Sequence, residues 1–514
     1  MSHPAVRDGA HPLAGAHGVR EPLWRVAGLP ALAVTVALLA TANRYELHGD
    51  ELYFRMLPPA WWYDDQPPLT VWLSHLGAAL GHDPLLQRLP AIAAVACSVL
   101  LAACFPRLLL GDDPAARVAA WAHAFTVYPL LMGHVFLTSS LDLVAWQAVV
   151  LLTLIALRDH ERGLRPRALV WAGVVAGLAC WNKLLVVVLL AALAVAVLAA
   201  DAAVLRTREA LSAAVAFVAL SAPQLGAQLL HGLPMSRVSG RLIAEHGALN
   251  RLLILPLLVA FLGPPMVGVW WHGLRWRRSG TVRTTGASAT SAASRARRSR
   301  LPVLAVTTAA IVAWNLALPA QPYYAVAAVL PALALGWGAA HRAGAPSWQL
   351  RRRIVAGNAA VAVLLCLPVL PVGTAAYDAV AAAVPVARDQ VGWREAVHRI
   401  AAARGGRDVT VVADHYALAG ALAYDGPAVG IDRAHIASGH NALWSLGPPA
   451  TDDVLLVGSI AQTHRYFFRT CEDAGRLALT QSDPFGLGDA PMARCSGLVA
   501  DWATLWPEFR RLGG

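Results

Sequence analysis

The sequence predicts an α-helical polytopic membrane protein with about eleven transmembrane helices and a small α/β domain at its C-terminal end. Apolar residues make up 57% of the 514 residues, against about 45–50% in soluble domains. Charged residues make up only 14% and cluster between apolar stretches of about 17–25 residues, long enough to cross a bilayer. After residue 372 this pattern gives way to short strand-like and helical segments.

Eleven apolar stretches precede that change, and each is about one bilayer thick as a helix. They are residues 24–42, 89–110, 114–133, 139–157, 168–182, 184–200, 210–230, 251–272, 302–319, 322–340 and 354–372. If the polar tail 1–23 is cytoplasmic, the arginine-rich loops all fall on one side, as the positive-inside rule requires. The longest of them, 273–301, has many arginines and no acidic residue, which predicts a basic cytoplasmic linker.

This topology divides the chain into three parts. We expect a cytoplasmic tail 1–23, a transmembrane domain 24–372 with a first outside loop 43–88, and an extracytoplasmic α/β domain 373–514. In that last domain, residues 409–413 and 453–458 have the apolar, β-branched composition of buried strands.

The net charge of +11 could suggest nucleic acid as a partner, but the arginines flank apolar spans and therefore indicate a membrane partner. The bias towards arginine and alanine indicates a bacterial source, so we expect the plasma membrane. No cysteine pair has zinc-site spacing, which argues against a zinc centre. Cys471 and Cys495 lie in the predicted outside domain, where either a disulfide or two free thiols is possible.

The first outside loop carries an acidic pair, Asp50 and Glu51, among aromatic residues. Either the pair caps a surface helix, or one carboxylate is a general base. A base at a membrane surface suits transfer from a phosphate-linked lipid donor, because phosphate leaves as a stable anion and needs only nearby cations. Arg88 could supply such a cation, and so could Lys183.

Lys183 is the single lysine of the sequence and lies where two apolar spans meet. An ammonium group on a flexible stem is a good partner for phosphate. The alternative is a lysine that marks a helix end and extends to the membrane surface.

The loop resembles that of a known superfamily. Residues 49–53 (Gly-Asp-Glu-Leu-Tyr), 63–69 (Tyr-Asp-Asp-Gln-Pro-Pro-Leu) and 88–90 (Arg-Leu-Pro) resemble the first loop of the dolichyl-phosphate-mannose protein mannosyltransferase and aminoarabinose transferase superfamily. Further motifs follow in the same order: Trp-Asn-Lys at 181–183, Ala-Pro-Gln at 222–224, His-Gly-Leu-Pro at 231–234 and Gln-Pro-Tyr-Tyr at 321–324.

This resemblance implies a GT-C membrane glycosyltransferase that moves a hexosyl or pentosyl group, with inversion, from a polyprenyl-phosphate carrier to an extracytoplasmic protein, glycan or lipid. It implies that Asp50 is the catalytic base with Glu51 beside it. The remaining implied site residues are Lys183, Arg88, Tyr323 and Tyr324 at the donor phosphate, and Tyr53, Asp64, Asp65, Gln66, His231 and Gln321 at the substrate. Gln66 and Gln321 depart from the residues common in the family, which places their donor contacts in question.

Two other functions fit a many-helix chain. A lipid or solute transporter or flippase would have polar or helix-breaking residues at matching positions of two related halves, and no such repeat is visible. A non-catalytic assembly partner with the same fold is the other alternative. No protein cofactor is implied, although an acidic pair beside a phosphate could hold a divalent metal.

Overall fold

The structure is a computed structural model that describes residues 21–277, 302–345 and 347–513. Most of the predicted tail 1–23 and most of the predicted basic linker 273–301 lie outside the described residues. The described chain has a helical part up to Cys366, followed by a mixed α/β part.

The helical part is a multi-span bundle. Its helices are α1 (Leu23–Thr41), α2 (Gly49–Met56), α3 (Leu69–Leu80), α4 (Pro84–Leu110), α5 (Asp113–Ala124), α6 (Val127–His134), α7 (Thr138–Glu161), α8 (Ala168–Ala179), α9 (Val186–Asp201), α10 (Arg208–Leu230), α11 (Pro234–Leu262), α12 (Val267–Leu274), α13 (Val303–Ala317), α14 (Val326–Arg342) and α15 (Trp348–Cys366). Among the described residues, six helical segments are long and apolar enough to cross a bilayer, and three shorter apolar helices accompany them. The predicted polytopic membrane fold is therefore confirmed.

In the structure, two of the predicted spans are each divided into two helices. The span expected at 114–133 divides into α5 and α6, because Pro129 has no N–H to bond the carbonyl of Phe125. That carbonyl instead accepts a 3.1 Å hydrogen bond from the side chain of Asn358.

The span expected at 251–272 is also divided. Helix α11 begins earlier, at Pro234, and ends before Gly263, whose φ is 89°. Pro264 and Pro265 then start a new turn that leads into α12. Residues 234–250, which carry no apolar stretch, are thus helical as well.

The C-terminal part contains a five-stranded mixed sheet. Its strands are β1 (Thr410–Ala413), β2 (Ile436–Ala437), β3 (Val454–Val457), β4 (Phe468–Arg476) and β5 (Pro491–Leu498). The strand order is β2-β1-β3-β5-β4, with β1 parallel to β2 and β3, and β5 antiparallel to β3 and β4. The predicted α/β character and both predicted strands are confirmed. Cys471 and Cys495, on β4 and β5, are disulfide-bonded.

The described C-terminal part also contains six α-helices. They are α16 (Ala375–Ala383), α17 (Pro385–Arg388), α18 (Trp393–Arg404), α19 (Tyr416–Asp425), α20 (Ile460–Thr463) and α21 (Trp502–Leu505). Helices α18 and α19 share a core with Val411 and Leu455 on one face. Ile460 and Trp502 pack with Val412 and Leu456 on the other face.

The first loop belongs to the core of the α/β part. Leu52, Tyr53 and Phe54 of α2 are buried with residues of α18 and α19 in one continuous apolar cluster. A Cβ added to Gly420 would lie 2.7 Å from the carbonyl oxygen of Leu52, so this glycine allows α2 and α19 to touch. The packing places the acidic pair between the helical bundle and the sheet.

Candidate active site

A cavity of about 600 Å³ opens between α2, α9, α11, α13 and the α/β part. Its lining comes from stretches far apart in sequence, since Asp50, Lys183, Tyr324 and Tyr416 all contribute to it. The predicted site residues that line it are Asp50, Tyr53, Asp65, Gln66, Lys183, Tyr323 and Tyr324. The fold therefore brings together seven side chains that the sequence motifs single out.

Helix α2 holds the acidic pair through a capping box at its N-terminus. His48 is the N-cap residue, and its Nδ1 accepts a hydrogen bond from the backbone N–H of Asp50. The backbone N–H of His48 donates to Glu51 Oε2 at 2.8 Å. The cap orients the two carboxylates differently: Glu51 turns back to the cap, while Asp50 faces the cavity.

Glu51 is fully buried against Arg88, and their side chains form a 2.8 Å ion pair with no exposed surface. Glu51 Oε1 also accepts a 2.9 Å hydrogen bond from the backbone N–H of Phe136. The Arg88 guanidinium donates further to the carbonyls of Ala42 and Glu46 and to Gln390 Oε1. A buried charge pair needs this many partners to offset its desolvation. Neither member of the pair lines the cavity.

Lys183 lies in the turn between α8 and α9, where Asn182 fixes the backbone. The Asn182 side chain donates to the carbonyl of Thr138 and to Asp142 Oδ1, and it accepts a 3.0 Å hydrogen bond from Thr70. The Lys183 ammonium donates to Ser139 Oγ at 2.9 Å and lies 4.8 Å from the ring centre of Tyr324. An aromatic face attracts a cation without neutralising it. Lys183 therefore presents a positive charge to the cavity.

Asp65 and Tyr53 form the wall beside Asp50. The Tyr53 hydroxyl donates to Asp65 Oδ2 at 2.8 Å and accepts a hydrogen bond from the backbone N–H of Ala442. Asp65 Oδ1 is buried and has no hydrogen-bond partner among the described residues. Desolvation raises the pKa of Asp65 to about 7, despite the opposing hydrogen bond from Tyr53. Asp65 is thus a carboxyl group that titrates near neutral pH.

Five of the sequence-predicted site residues lie outside the cavity. Glu51 and Arg88 form the buried pair, and Asp64 makes a 2.6 Å ion pair with Arg510. The ring of His231 stacks on Trp62 at 3.8 Å between ring centres. Gln321 is partly buried and does not reach the cavity lining.

Two cavity residues that the motifs did not indicate come from the α/β part. The Tyr416 hydroxyl donates a 2.7 Å hydrogen bond to Asp50 Oδ1. Asn441 also lines the cavity and holds the backbone of Gly513 through two hydrogen bonds. No local sequence signal points to either residue, because their roles arise only when the sheet packs on α2.

The donor set gives little support for a bound metal ion. Within the described ranges, no group of three or more His, Cys, Asp or Glu side chains is arranged to hold one. The positive charge in the cavity lining comes from the ammonium group of Lys183.

Comparison with known proteins agrees with the fold and the motifs. Residues 65–226 match the family described as dolichyl-phosphate-mannose-protein mannosyltransferase. Residues 65–226 of this chain therefore have the sequence character of a membrane glycosyltransferase of that family. The resemblance seen in the motifs is confirmed, and it favours a transferase over a transporter. No curated protein matches the sequence.

Solved structures extend the likeness over nearly the whole length of the chain. The crystal structure of ArnT from Cupriavidus metallidurans in the apo state has 13% sequence identity and a TM-score of 0.57, covering 91% of this chain and 97% of that one. The same enzyme bound to undecaprenyl phosphate has 13% identity and a TM-score of 0.56, covering 92% and 98%. At this identity the likeness establishes the fold.

The family match and the cavity overlap only in part. The matched segment contains Asp65, Gln66 and Lys183, whereas Asp50 precedes it and Tyr324 follows it. Only the folded chain brings these residues to one cavity.

Proposed function

We propose that this protein transfers a sugar from a polyprenyl-phosphate carrier to an acceptor on the extracytoplasmic side of a bacterial plasma membrane. The observation that carries the proposal is the pairing of a carboxylate, Asp50, with an ammonium, Lys183, on one cavity. ArnT binds undecaprenyl phosphate in a similar fold, which supports a donor of this class here.

The cavity has the mixed lining that a lipid phosphate requires. Its lining includes the polar residues Asp50, Lys183 and Tyr324 together with several apolar side chains. The apolar residues are Leu184, Leu185, Val238, Leu242, Ile243 and Leu318. A phosphate head can bind the polar residues while the prenyl chain follows the apolar residues towards the bilayer.

In this mechanism Asp50 removes the proton of the acceptor hydroxyl as that oxygen attacks the anomeric carbon. The bond from the anomeric carbon to the phosphate oxygen breaks at the same time, and the polyprenyl phosphate leaves as an anion. Lys183, held by Ser139 and flanked by Tyr323 and Tyr324, stabilises the charge that develops on the phosphate. A single displacement inverts the anomeric configuration.

Roles follow for the other predicted residues. Glu51 and Arg88 have a structural role, because their buried pair holds the first turn of α2 in the fold. We assign Tyr53, Asp65 and Gln66 to the sugar, and their position in the cavity lining with Asp50 supports this. Asp64 and His231 act from outside the cavity, through their contacts with Arg510 and Trp62, and Gln321 also lies outside it.

The function is tested with purified protein and a synthetic undecaprenyl-phosphate sugar panel containing one pentosyl and several hexosyl donors. We expect release of undecaprenyl phosphate that depends on an added acceptor extract. Mass spectrometry of lipid that copurifies with the Asp50→Asn variant identifies the natural donor. Absence of any polyprenyl phosphate from that lipid, together with no turnover of the panel, contradicts the proposal.

The sidedness is tested separately with cysteine labelling. Asp452 is exposed in the α/β part and Arg162 is exposed between α7 and α8. An impermeant maleimide should label Asp452→Cys in intact spheroplasts and Arg162→Cys only after permeabilisation. The reverse pattern places the α/β part in the cytoplasm and contradicts transfer to an outside acceptor.

A further inference from the structure

A second cavity, of about 660 Å³, lies at the carboxyl ends of β1 and β3. After β1 the chain enters α19 on one face of the sheet, and after β3 it enters α20 on the other face. Strand order also reverses at β1, which lies between β2 and β3. Divergence of this kind opens a crevice at the strand ends, and open α/β sheets bind their ligands there.

Hydrogen bonds, an ion pair and a close backbone approach hold the strand ends in this crevice. Asp414, directly after β1, accepts hydrogen bonds from the backbone N–H and the hydroxyl of Ser459, at 2.9 and 2.5 Å. Arg511 adds a 3.3 Å ion pair to the same carboxylate. Gly458 has a φ of 103°, and a Cβ there would lie 2.5 Å from the Cβ of Asp414. The floor of the cavity is therefore rigid.

The charges around the cavity are balanced. Its lining contains four arginines and four acidic residues: Arg241, Arg476, Arg510, Arg511, Glu245, Asp414, Asp489 and Glu508. In the described part of the chain, Arg241, Glu245 and Glu508 make no side-chain ion pair or hydrogen bond, and all three are exposed. They are free to bind a ligand.

This arrangement selects a ligand by its hydrogen bonds. Carboxylates only accept hydrogen bonds and guanidinium groups only donate them. A sugar hydroxyl does both, so a neutral saccharide can satisfy both kinds of group at once. A strongly anionic ligand would meet as many carboxylates as arginines.

The second cavity adjoins the active-site cavity, and neighbouring residues of two segments line one cavity or the other. Arg511 and Leu512 line one and Gly513 the other. Along α11, Arg241 and Glu245 face the second cavity, while Gly240 and Leu242 face the first. A molecule held in the second cavity is thus adjacent to the site where a hydroxyl must meet Asp50.

We propose that the crevice at β1 and β3 binds a neutral saccharide portion of the acceptor. The assignment rests on the proposed transferase function, although the binding itself does not require turnover. It makes the acceptor a glycan or glycan-bearing molecule, with its reacting hydroxyl directed over residues 511–513 into the catalytic cavity.

The test is a binding measurement on the full-length protein in detergent, using an array of neutral hexose and pentose oligosaccharides. We expect saturable binding that 10 mM inorganic phosphate does not displace. The double variant Arg241→Ala/Glu508→Ala should bind about tenfold more weakly or worse, since it removes two hydrogen-bonding groups. The matched control, Arg407→Ala/Asp452→Asn, alters exposed residues of the α/β part that line neither cavity and should bind normally.

Three outcomes overturn the assignment: no oligosaccharide binds, the double variant binds as well as the control, or phosphate displaces the glycan. Asp50→Asn separates the two proposals. If it retains glycan binding and loses turnover, both proposals stand, and if it loses binding, the glycan occupies the catalytic cavity instead. Glycan binding without transfer by the unmodified protein contradicts the transferase function and leaves the glycan site in place.

Discussion

The hydroxyl of Tyr416 donates a 2.7 Å hydrogen bond to Oδ1 of Asp50, which lies 366 residues earlier in the chain. Tyr416 begins α19 directly after β1, and Asp50 lies in the first turn of α2. The bond ties the proposed base to the α/β part and fixes the carboxylate orientation that proton removal requires.

Loss of this bond should slow catalysis without weakening donor binding. In Tyr416→Phe we expect kcat to fall about three- to tenfold, the size of one hydrogen bond, with KM for the donor nearly unchanged. Tyr466→Phe, at an exposed tyrosine of the same part, is the control. An unchanged kcat removes Tyr416 from any positioning role.

Glu51 should matter for folding more than for chemistry. Glu51→Gln leaves Arg88 buried without its counter-charge, and such changes cost about 3–5 kcal/mol. We expect a lower thermal midpoint in detergent but near-normal kcat per folded molecule, and partial recovery of stability in Glu51→Gln/Arg88→Met. A variant of normal stability with kcat reduced a hundredfold would instead make Glu51 catalytic.

Lys183 should act on donor binding and on the leaving phosphate. A hydrogen bond to a charged group contributes about 1.5–3 kcal/mol, so Lys183→Met should lower kcat/KM for the donor at least tenfold. Lys183→Arg keeps the charge and should retain part of the activity. Equal activity of the unmodified protein, Lys183→Met and Lys183→Arg would show that the donor phosphate does not bind at Lys183.

Asp65 should make stability depend on pH. Its pKa is raised to about 7 in the folded protein by burial, so its contribution to stability is full below about pH 4, its usual range when unfolded. That contribution is lost as pH rises through about 7. Asp65→Asn should therefore gain thermal stability relative to the unmodified protein between pH 5 and pH 8. A constant difference over that interval contradicts the raised pKa.

Sequence patterns predicted the parts of the site that depend on local chemistry. Asp50 was singled out by an acidic pair in an aromatic-rich outside loop and by the resemblance of the motifs, and Lys183 by its place as the single lysine at a span junction; both line the cavity. The resemblance implied Asp50 as the base, but the sequence could not show that Glu51 is buried, because its burial depends on Arg88 and Phe136 in other segments. Tyr416 had no signal at all, since its contact with Asp50 is purely tertiary.

The sequence likewise predicted most of the helices and missed those features that it does not encode as hydropathy. Hydropathy located helices near every predicted span, but it missed the first half of α11, whose residues 234–250 are too polar to form a span and nevertheless line the cavity. It also placed one continuous span where Pro129 interrupts the helix. Packing against neighbouring helices decides the first feature, and the missing N–H of Pro129 decides the second.

The central claim is that Asp50 is the general base, and its most direct test is the transfer rate of Asp50→Asn with a polyprenyl-phosphate sugar donor. A general base contributes about 10²–10⁴-fold, so kcat should fall at least a hundredfold while thermal stability and copurifying donor lipid are retained. Asp432→Asn, at an exposed carboxylate outside both cavities, should behave like the unmodified protein. Full activity of Asp50→Asn contradicts the account.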